Sequence, residues 1–144
     1  MKLTVKQKIE IKKIGEKYNL RFIIIHGSYA VGEERKGSDL DVAVYGKEKI
    51  DFKRHIKMYG DFANVFGDNK GRELDLKILH NTNPLFRYEV VRNGQLIYGN
   101  QNDFDEYYLY ACKDYNDSKS LFKLQDILIN KRQKHLNKVL AQYA

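Results

Sequence analysis

The fold is decided by the stretch HGSYAVGEERKGSDLDVAVY, residues 26–45. It contains a Gly-Ser pair, Gly27 and Ser28, followed ten residues later by an Asp-x-Asp motif. From Asp39 onward, polar and apolar residues alternate, which predicts a strand whose two aspartates project from one face. Two residues apart on a strand, Asp39 and Asp41 lie about 7 Å apart along the chain, close enough to bind one magnesium ion.

The Gly-Ser pair is suited to binding phosphate. Residues 21–26 form a short apolar run without polar alternation, which predicts a strand buried on both faces. Gly27 ends this run, and because it lacks a Cβ its backbone can closely approach an anion. The amide groups of a helix beginning there favour negative charge, and the hydroxyl of Ser28 adds a donor.

A third carboxylate lies on another predicted strand. Residues 73–79 alternate again, with Asp75 and Lys77 on the polar face. If this strand lies beside the first, three carboxylates meet at a two-metal site, where the ions neutralise a triphosphate and activate an attacking hydroxyl. The alternative is that Asp75 and Lys77 form only a surface ion pair.

The rest of the chain predicts helices around these strands. Thr4 and Gln7 have the form of a capping box, which opens a helix over residues 4–18. Pro84 suits the first turn of a helix over 84–92, with a short strand at 95–98. Two more helices are expected at 103–115 and 117–140, opened by Asp103 and Asp117 as caps. A helix over 50–66 is expected to pack on the sheet through Phe52, Ile56, Tyr59 and Ala63.

Length and composition bound the architecture. The 144 residues predict one domain, 1–144, with a core at about 20–99 and a C-terminal helical part at about 102–141. Its fold class is expected to be α/β (α+β), a small mixed sheet flanked by helices. No apolar run reaches the roughly 20 residues of a membrane span, and the N-terminus lacks the features of a signal peptide, so we expect a cytoplasmic protein without a membrane partner.

The net charge of +7 is concentrated at the two ends of the chain. Residues 1–21 carry 7 basic and 2 acidic side chains, and residues 119–144 carry 6 and 1. The middle carries 13 basic and 16 acidic groups and is where cations are expected to bind. Basic ends can attract RNA or an acidic protein, but lysines along helices more often form a solvated face.

The sequence resembles the DNA polymerase β-type nucleotidyltransferase superfamily in the Gly27-Ser28 pair, the ten-residue spacing and the Asp39-x-Asp41 motif. Members of this superfamily carry a third carboxylate on a later strand, and Asp75 matches it. The resemblance implies the polymerase β-like fold with closing C-terminal helices. Size and layout are similar to the minimal MntA-type antitoxins, including the segments NPLFRY at 83–88 and GQLIY at 94–98.

That family transfers AMP from ATP to a tyrosine of a HEPN ribonuclease toxin, HepT, and so inactivates it in a type VII toxin–antitoxin pair. The resemblance implies Gly27 and Ser28 as nucleotide-binding residues, and Asp39, Asp41 and Asp75 as catalytic residues that hold Mg2+, with two ions expected. The chain departs from the family at Val31, where many relatives have arginine. If that arginine holds phosphate, Arg35 or Lys36 must replace it, or activity is weaker.

Two other functions remain open at this point. The protein can neutralise its toxin by binding alone, or it can transfer a nucleotide to a small molecule, although the chain is short for the extra domain that such substrates usually require. Nucleic acid is not expected as a direct partner. His26 is interpreted as a structural histidine, and tyrosines 107, 108, 110 and 115 as either packing or stacking residues.

Overall fold

A computed structural model describes residues 1–143. A four-stranded mixed sheet has the strand order β3-β2-β1-β4. β1 pairs antiparallel with both β2 and β4, whereas β2 and β3 run parallel. The strands are β1 Leu20–His26, β2 Leu40–Gly46, β3 Leu74–Ile78 and β4 Gln95–Gly99. The helices are α1 Val5–Lys17, α2 Ser28–Val31, α3 Phe52–Phe66, α4 Pro84–Asn93 and α5 Gln101–Gln142.

Local signals in the sequence set most helix ends. The hydroxyl of Thr4 accepts from the amide of Gln7, whose side chain accepts in return from the amide of Thr4, so the predicted capping box is confirmed. Asn19 adopts a positive φ of 52° directly after α1, as expected of a residue that tolerates this conformation. Pro84 occupies the first turn of α4, and the side chain of Asn83 caps it.

The two faces of the sheet are covered by different helices. On one face, α1 and α3 bury the first apolar cluster, in which Ile25 and Val42 are completely inaccessible. On the other face, α4 and the first part of α5 cover a second cluster around Phe22, Ile24 and Ala43. Asp41 projects from this second face, because successive side chains of β2 point to opposite faces and the neighbouring Leu40 and Val42 lie on the first.

The predicted packing face of α3 is wrong in part. Phe52 and Ile56 are 77% and 56% exposed, while the residues that face the core are Met58, Phe62 and Phe66. Both sets recur at helical spacing, so the sequence pattern alone does not choose between them. The angle at which α3 packs across the sheet makes the choice.

The two helices predicted at 103–115 and 117–140 form one continuous helix. α5 has 42 residues and extends for roughly 63 Å at 1.5 Å per residue. Its side-chain cap is Asn100, not Asp103, and Asp117 lies inside the helix. No glycine or proline occurs between Asn100 and Ala144, so nothing in the backbone ends the helix near 116. Within residues 1–143, no helix is long and apolar enough to cross a membrane.

Candidate active site

The sheet brings two of the predicted acidic residues side by side. In the parallel pair, Asp41 of β2 lies in register with Asp75 of β3. Neighbouring strands are about 4.8 Å apart, and equal register places both side chains on the same face. Asp39 precedes β2 and is exposed, so it lies at the open edge of this acidic group. The two strands therefore lie side by side, which is the condition that the sequence analysis set for a shared site.

The three carboxylates influence one another electrostatically. Burial raises the pKa of Asp41 above its ordinary value, and the negative charges of Asp75 and Asp39 raise it further, while Lys77 lowers it. A raised pKa means that the charged form is disfavoured at this position. A bound divalent cation would remove this cost, because it offsets the repulsion between the carboxylates.

The side chains are not already arranged around an ion. The Nζ of Lys77 lies 3.0 Å from a carboxylate oxygen of Asp75, and both side chains are roughly half exposed. Among residues 1–143, no three His, Cys, Asp or Glu side chains are grouped as metal ligands. The ion pair between Asp75 and Lys77 that the sequence suggested is thus present. Asp75 nevertheless lies beside Asp41 in the strand register. Oxygen donors suit magnesium, and an exposed lysine can turn away at little cost.

Gly27 lies directly against the carboxylate of Asp41. It has a φ of 66° and a ψ of −153°, a conformation that favours glycine, and a Cβ at this position would collide with the Oδ2 of Asp41. Ser28 is the first residue of α2, so the Gly-Ser pair and the Asp-x-Asp motif meet at one end of the β1–β2 pair. Glycine is needed here for two reasons, backbone conformation and space.

A cleft opens beside this pair. It has a volume of about 520 Å³, and we call it the motif cleft. Gly27 and Ser28 form one wall, and α4 supplies Phe86, Glu89 and Arg92 on the other. Val31, at the position where many relatives have arginine, also lines the cleft and is half exposed.

His26 connects β1 to the cleft. It lies opposite Asp41 in the antiparallel register and meets the ring of Phe86 edge-on at 5.8 Å between ring centroids. Burial lowers its pKa to about 4, so the imidazole is neutral at neutral pH. Among residues 1–143, its Nε2 is buried without a hydrogen-bond partner. The ring packs as a structural side chain, but the hydrogen bond expected of a structural histidine is missing at this nitrogen.

Comparison with known proteins identifies the family. The sequence profile described as "Polymerase beta, Nucleotidyltransferase" matches residues 9–103, about two thirds of the chain. The chain belongs to this nucleotidyltransferase family. The matched range contains β1 to β4 and every residue of the predicted site.

Two named relatives resemble this nucleotidyltransferase in sequence. A "Putative protein adenylyltransferase" of Methanocaldococcus jannaschii is 25% identical over 66% of this chain and 69% of its own length. The "Protein adenylyltransferase MntA" of Shewanella oneidensis is 30% identical over 65% of this chain and 63% of its own length. The chain thus aligns with about two thirds of each relative.

Solved structures share the fold of this nucleotidyltransferase. A crystal structure of a toxin–antitoxin with AMP-PNP gives a TM-score of 0.61 at 21% identity, covering 92% of this chain and 98% of that one. A tri-AMPylated Shewanella oneidensis HEPN toxin in complex with MNT antitoxin gives 0.57 at 19% identity, covering 94% and 97%. Spectinomycin adenyltransferase from Enterococcus faecialis gives 0.53 at 20%, covering 73% and 59%.

Several residues around the site of the nucleotidyltransferase were not predicted from the sequence. Phe86, Glu89 and Arg92 line the motif cleft from α4, sixty residues after the Gly-Ser pair. Phe86 lies in the segment NPLFRY quoted above, but nothing local in the sequence places these side chains in a cleft, and only the folded arrangement of α4 over β1 brings them there. The tyrosines of α5 mostly serve packing: Tyr107 is buried 5.2 Å from the ring of Phe22, and Tyr115 stacks on Tyr88.

Proposed function

We propose that this nucleotidyltransferase transfers AMP from ATP to a tyrosine hydroxyl of a HEPN-family ribonuclease toxin and thereby inactivates it as its antitoxin. The observation that carries the proposal is the register of Asp41 with Asp75, together with the contact between Gly27 and Asp41. This arrangement places a cluster of carboxylates beside a turn suited to binding phosphate, as nucleotidyl transfer requires.

Each residue has a role in this reaction. The backbone at Gly27 and the hydroxyl of Ser28 bind the triphosphate oxygens, and the absence of a Cβ lets the phosphates approach. Asp39, Asp41 and Asp75 would hold two magnesium ions through their oxygens. When bound, these ions supply the positive charge that neutralises the triphosphate and lowers the pKa of the attacking hydroxyl. To hold a metal ion, Asp75 would have to give up its ion pair with Lys77.

The chemical step is a displacement at the α-phosphorus of ATP. The tyrosine oxygen forms a bond to this phosphorus as the bond to the bridging oxygen of the β-phosphate breaks, and pyrophosphate leaves. The hydroxyl proton leaves to solvent or to a carboxylate of the acidic group. No side chain of the enzyme forms a covalent bond, so positioning and electrostatics carry the catalysis.

The choice of acceptor is supported by the relatives. Both are named protein adenylyltransferases, and the fold matches chains from toxin–antitoxin crystal structures. ATP as the nucleotide donor fits the AMP-PNP of one such structure. A second candidate function is neutralisation of the toxin by binding alone. It is favoured by a different observation, since α5 beyond residue 120 exposes many large apolar side chains.

The test is an incubation with ATP labelled at the α-phosphate, magnesium and the protein encoded by the neighbouring gene. We expect label on the toxin, mapped to a tyrosine by mass spectrometry, and no label with Asp39→Asn plus Asp41→Asn or with EDTA. The double variant should also fail to relieve toxicity in cells. If the double variant relieves toxicity fully and the wild type transfers no label, binding alone is the function. Spectinomycin serves as a small-molecule acceptor in a parallel reaction.

A further inference from the structure

Within residues 1–143, Arg92 is the one positively charged side chain that lines the motif cleft. The other charged side chains of the cleft are Glu33, just after α2, and Glu89 of α4, and both are exposed. His26 also lines the cleft, but it is neutral at neutral pH because burial lowers its pKa to about 4. Without Arg92, the cleft would carry negative charge alone.

The fold does not use the charge of Arg92. The side chain is exposed, and none of the ion pairs within residues 1–143 includes it. Arg87 of the same helix shows the contrast, since its side chain is only 14% exposed, pairs with Asp114 and donates to the hydroxyl of Tyr110. Arg87 therefore ties α4 to α5, whereas Arg92 has no carboxylate partner among these residues.

An aromatic contact orients Arg92 beside the cleft. Its guanidinium carbon lies 6.0 Å from the centre of the Tyr88 ring, at the outer limit of a cation–π contact. Tyr88 in turn stacks on Tyr115 of α5, with ring centroids 4.6 Å apart and ring planes within 10° of parallel. Because a tyrosine ring carries no net charge, this contact positions the guanidinium and leaves its charge available to a ligand.

The sheet sets the order of these groups. Asp41 and Asp75 lie on β2 and β3, Gly27 follows β1, and α4 covers β1 on the same face of the sheet. In the proposed reaction the α-phosphorus lies at the carboxylates. Because the Gly-Ser turn is suited to phosphate and forms a wall of the motif cleft, the β- and γ-phosphates extend over this turn into the cleft. The opposite wall there is α4, which carries Arg92.

A cation is needed at this end of the nucleotide. Glu33 and Glu89 repel the phosphates, and an arginine offsets this repulsion through bonds to phosphate oxygens that are frequently bidentate and roughly twice as strong as those between neutral groups. Negative charge grows on the pyrophosphate as its bond to the α-phosphorus breaks. A contact from arginine to this group therefore strengthens in the transition state.

We propose that Arg92 binds the β- and γ-phosphates of the donor nucleotide and stabilises the departing pyrophosphate. The inference rests on the proposed function for the reaction, but it names a residue that lies outside the sequence motifs and outside the strands that carry them. Arg92 takes no part in proton transfer, because a guanidinium keeps its charge in proteins.

The test measures nucleotide binding by calorimetry in magnesium, with AMP-PNP and AMP as probes. AMP lacks the two phosphates that Arg92 is proposed to bind. Arg92→Gln should raise the Kd of AMP-PNP about tenfold or more and change the Kd of AMP by about twofold or less. Arg92→Lys keeps the charge but loses the planar fork, and its Kd for AMP-PNP should lie between those of the wild type and Arg92→Gln. Thermal melts without nucleotide should be the same for all three proteins.

Arg35→Gln is the matched control. Arg35 is an exposed arginine in the loop between α2 and β2, and it does not line the motif cleft. Its removal should change the Kd of either probe by about twofold or less. A double variant, Val31→Arg plus Arg92→Gln, returns a guanidinium to the cleft from α2, because Val31 also lines the cleft. It should recover most of the lost affinity for AMP-PNP.

Three results would overturn the proposal. The first is unchanged binding of AMP-PNP by Arg92→Gln. The second is an equal loss for AMP-PNP and AMP, because Arg92 then contacts the nucleoside or the α-phosphate. The third is a loss for Arg35→Gln as large as that for Arg92→Gln, since the effect then comes from the overall charge of the protein.

Transfer kinetics separate this inference from the proposed function. At saturating ATP, kcat of Arg92→Gln should fall about tenfold, because the contact is strongest as pyrophosphate leaves. If label reaches the protein encoded by the neighbouring gene with the same kcat and KM for wild type and Arg92→Gln, the reaction stands and the role of Arg92 is wrong. If the binding results are as expected but no label is transferred, the proposed reaction is wrong and the phosphate contact stands.

Discussion

The two faces of β2 do different work although they alternate along one strand. Leu40, Val42 and Val44 point to the α1 and α3 side and are completely buried. Asp41 points to the other side, where burial and two neighbouring carboxylates disfavour its charge. One face of β2 is therefore wholly apolar, whereas the other combines the buried Ala43 with an electrostatic cost at Asp41 that a ligand can relieve. The predictions below separate these two roles.

The largest effect is expected at the site face. Asp41→Asn should lower AMP transfer by about a thousandfold, since a metal-binding carboxylate is lost. In EDTA at neutral pH its Tm should equal or exceed that of the wild type, because the variant removes a charge whose pKa is raised in the folded state. Asp117→Asn, an exposed charge on α5, is the control for both measurements. A clearly lower Tm for Asp41→Asn would contradict the division between the faces.

The core face should show the opposite behaviour. Phe62→Ala removes a fully buried ring on α3 and should lower the free energy of unfolding by about 3 to 4 kcal/mol in urea titrations. Transfer per folded molecule should be unchanged. Phe52→Ala makes the same substitution in the same helix at a position that is 77% exposed, and should cost less than about 0.5 kcal/mol. Similar losses of unfolding free energy for both variants would mean that the face of α3 that carries Phe52 also packs on the sheet.

Gly27→Ala tests the contact between the two motifs. The positive φ and the collision with Asp41 should displace the carboxylate, and we expect transfer to fall by roughly ten- to a hundredfold. Gly60→Ala in α3 has open space around the added methyl and should be neutral or stabilising by up to about 1 kcal/mol. Transfer rates and thermal melts of both variants give the answer. Full activity of Gly27→Ala would show that the backbone there tolerates a side chain.

The last prediction concerns the dependence of stability on pH. The pKa of His26 is about 4 in the folded protein, below the ordinary 6.5, because burial disfavours the charged ring. Between pH 4 and 6.5 the unfolded chain therefore binds more protons at His26 than the folded protein does. The stability linked to the neutral, buried imidazole is fully present above pH 6.5 and is lost as the pH falls to 4. His26→Gln should flatten the decline in the free energy of unfolding over this range, an effect of up to about 3 kcal/mol. His135→Gln, on the exposed part of α5, should leave the slope unchanged.

Most of the site was predictable because its signals are local. The Gly-Ser pair, the Asp-x-Asp spacing and the alternation in β2 and β3 lie within short stretches, and backbone geometry converts them directly into positions on one face. The cleft residues Phe86 and Arg92 were not predictable, since their relevance depends on how α4 crosses β1. The alternation of polar and apolar residues in β3 likewise does not show whether Asp75 binds a metal ion or only pairs with Lys77.

The sequence by itself determined the strands, the capping box of α1, the family and the chemical types at the site, because these depend on neighbours within a few residues. Tertiary structure alone decided which face of α3 packs on the sheet, that β3 lies parallel to β2 so that Asp75 meets Asp41, and that the outer half of α5 extends beyond the core. The physical reason is that packing between elements depends on contacts between residues far apart in the chain, which no local pattern specifies.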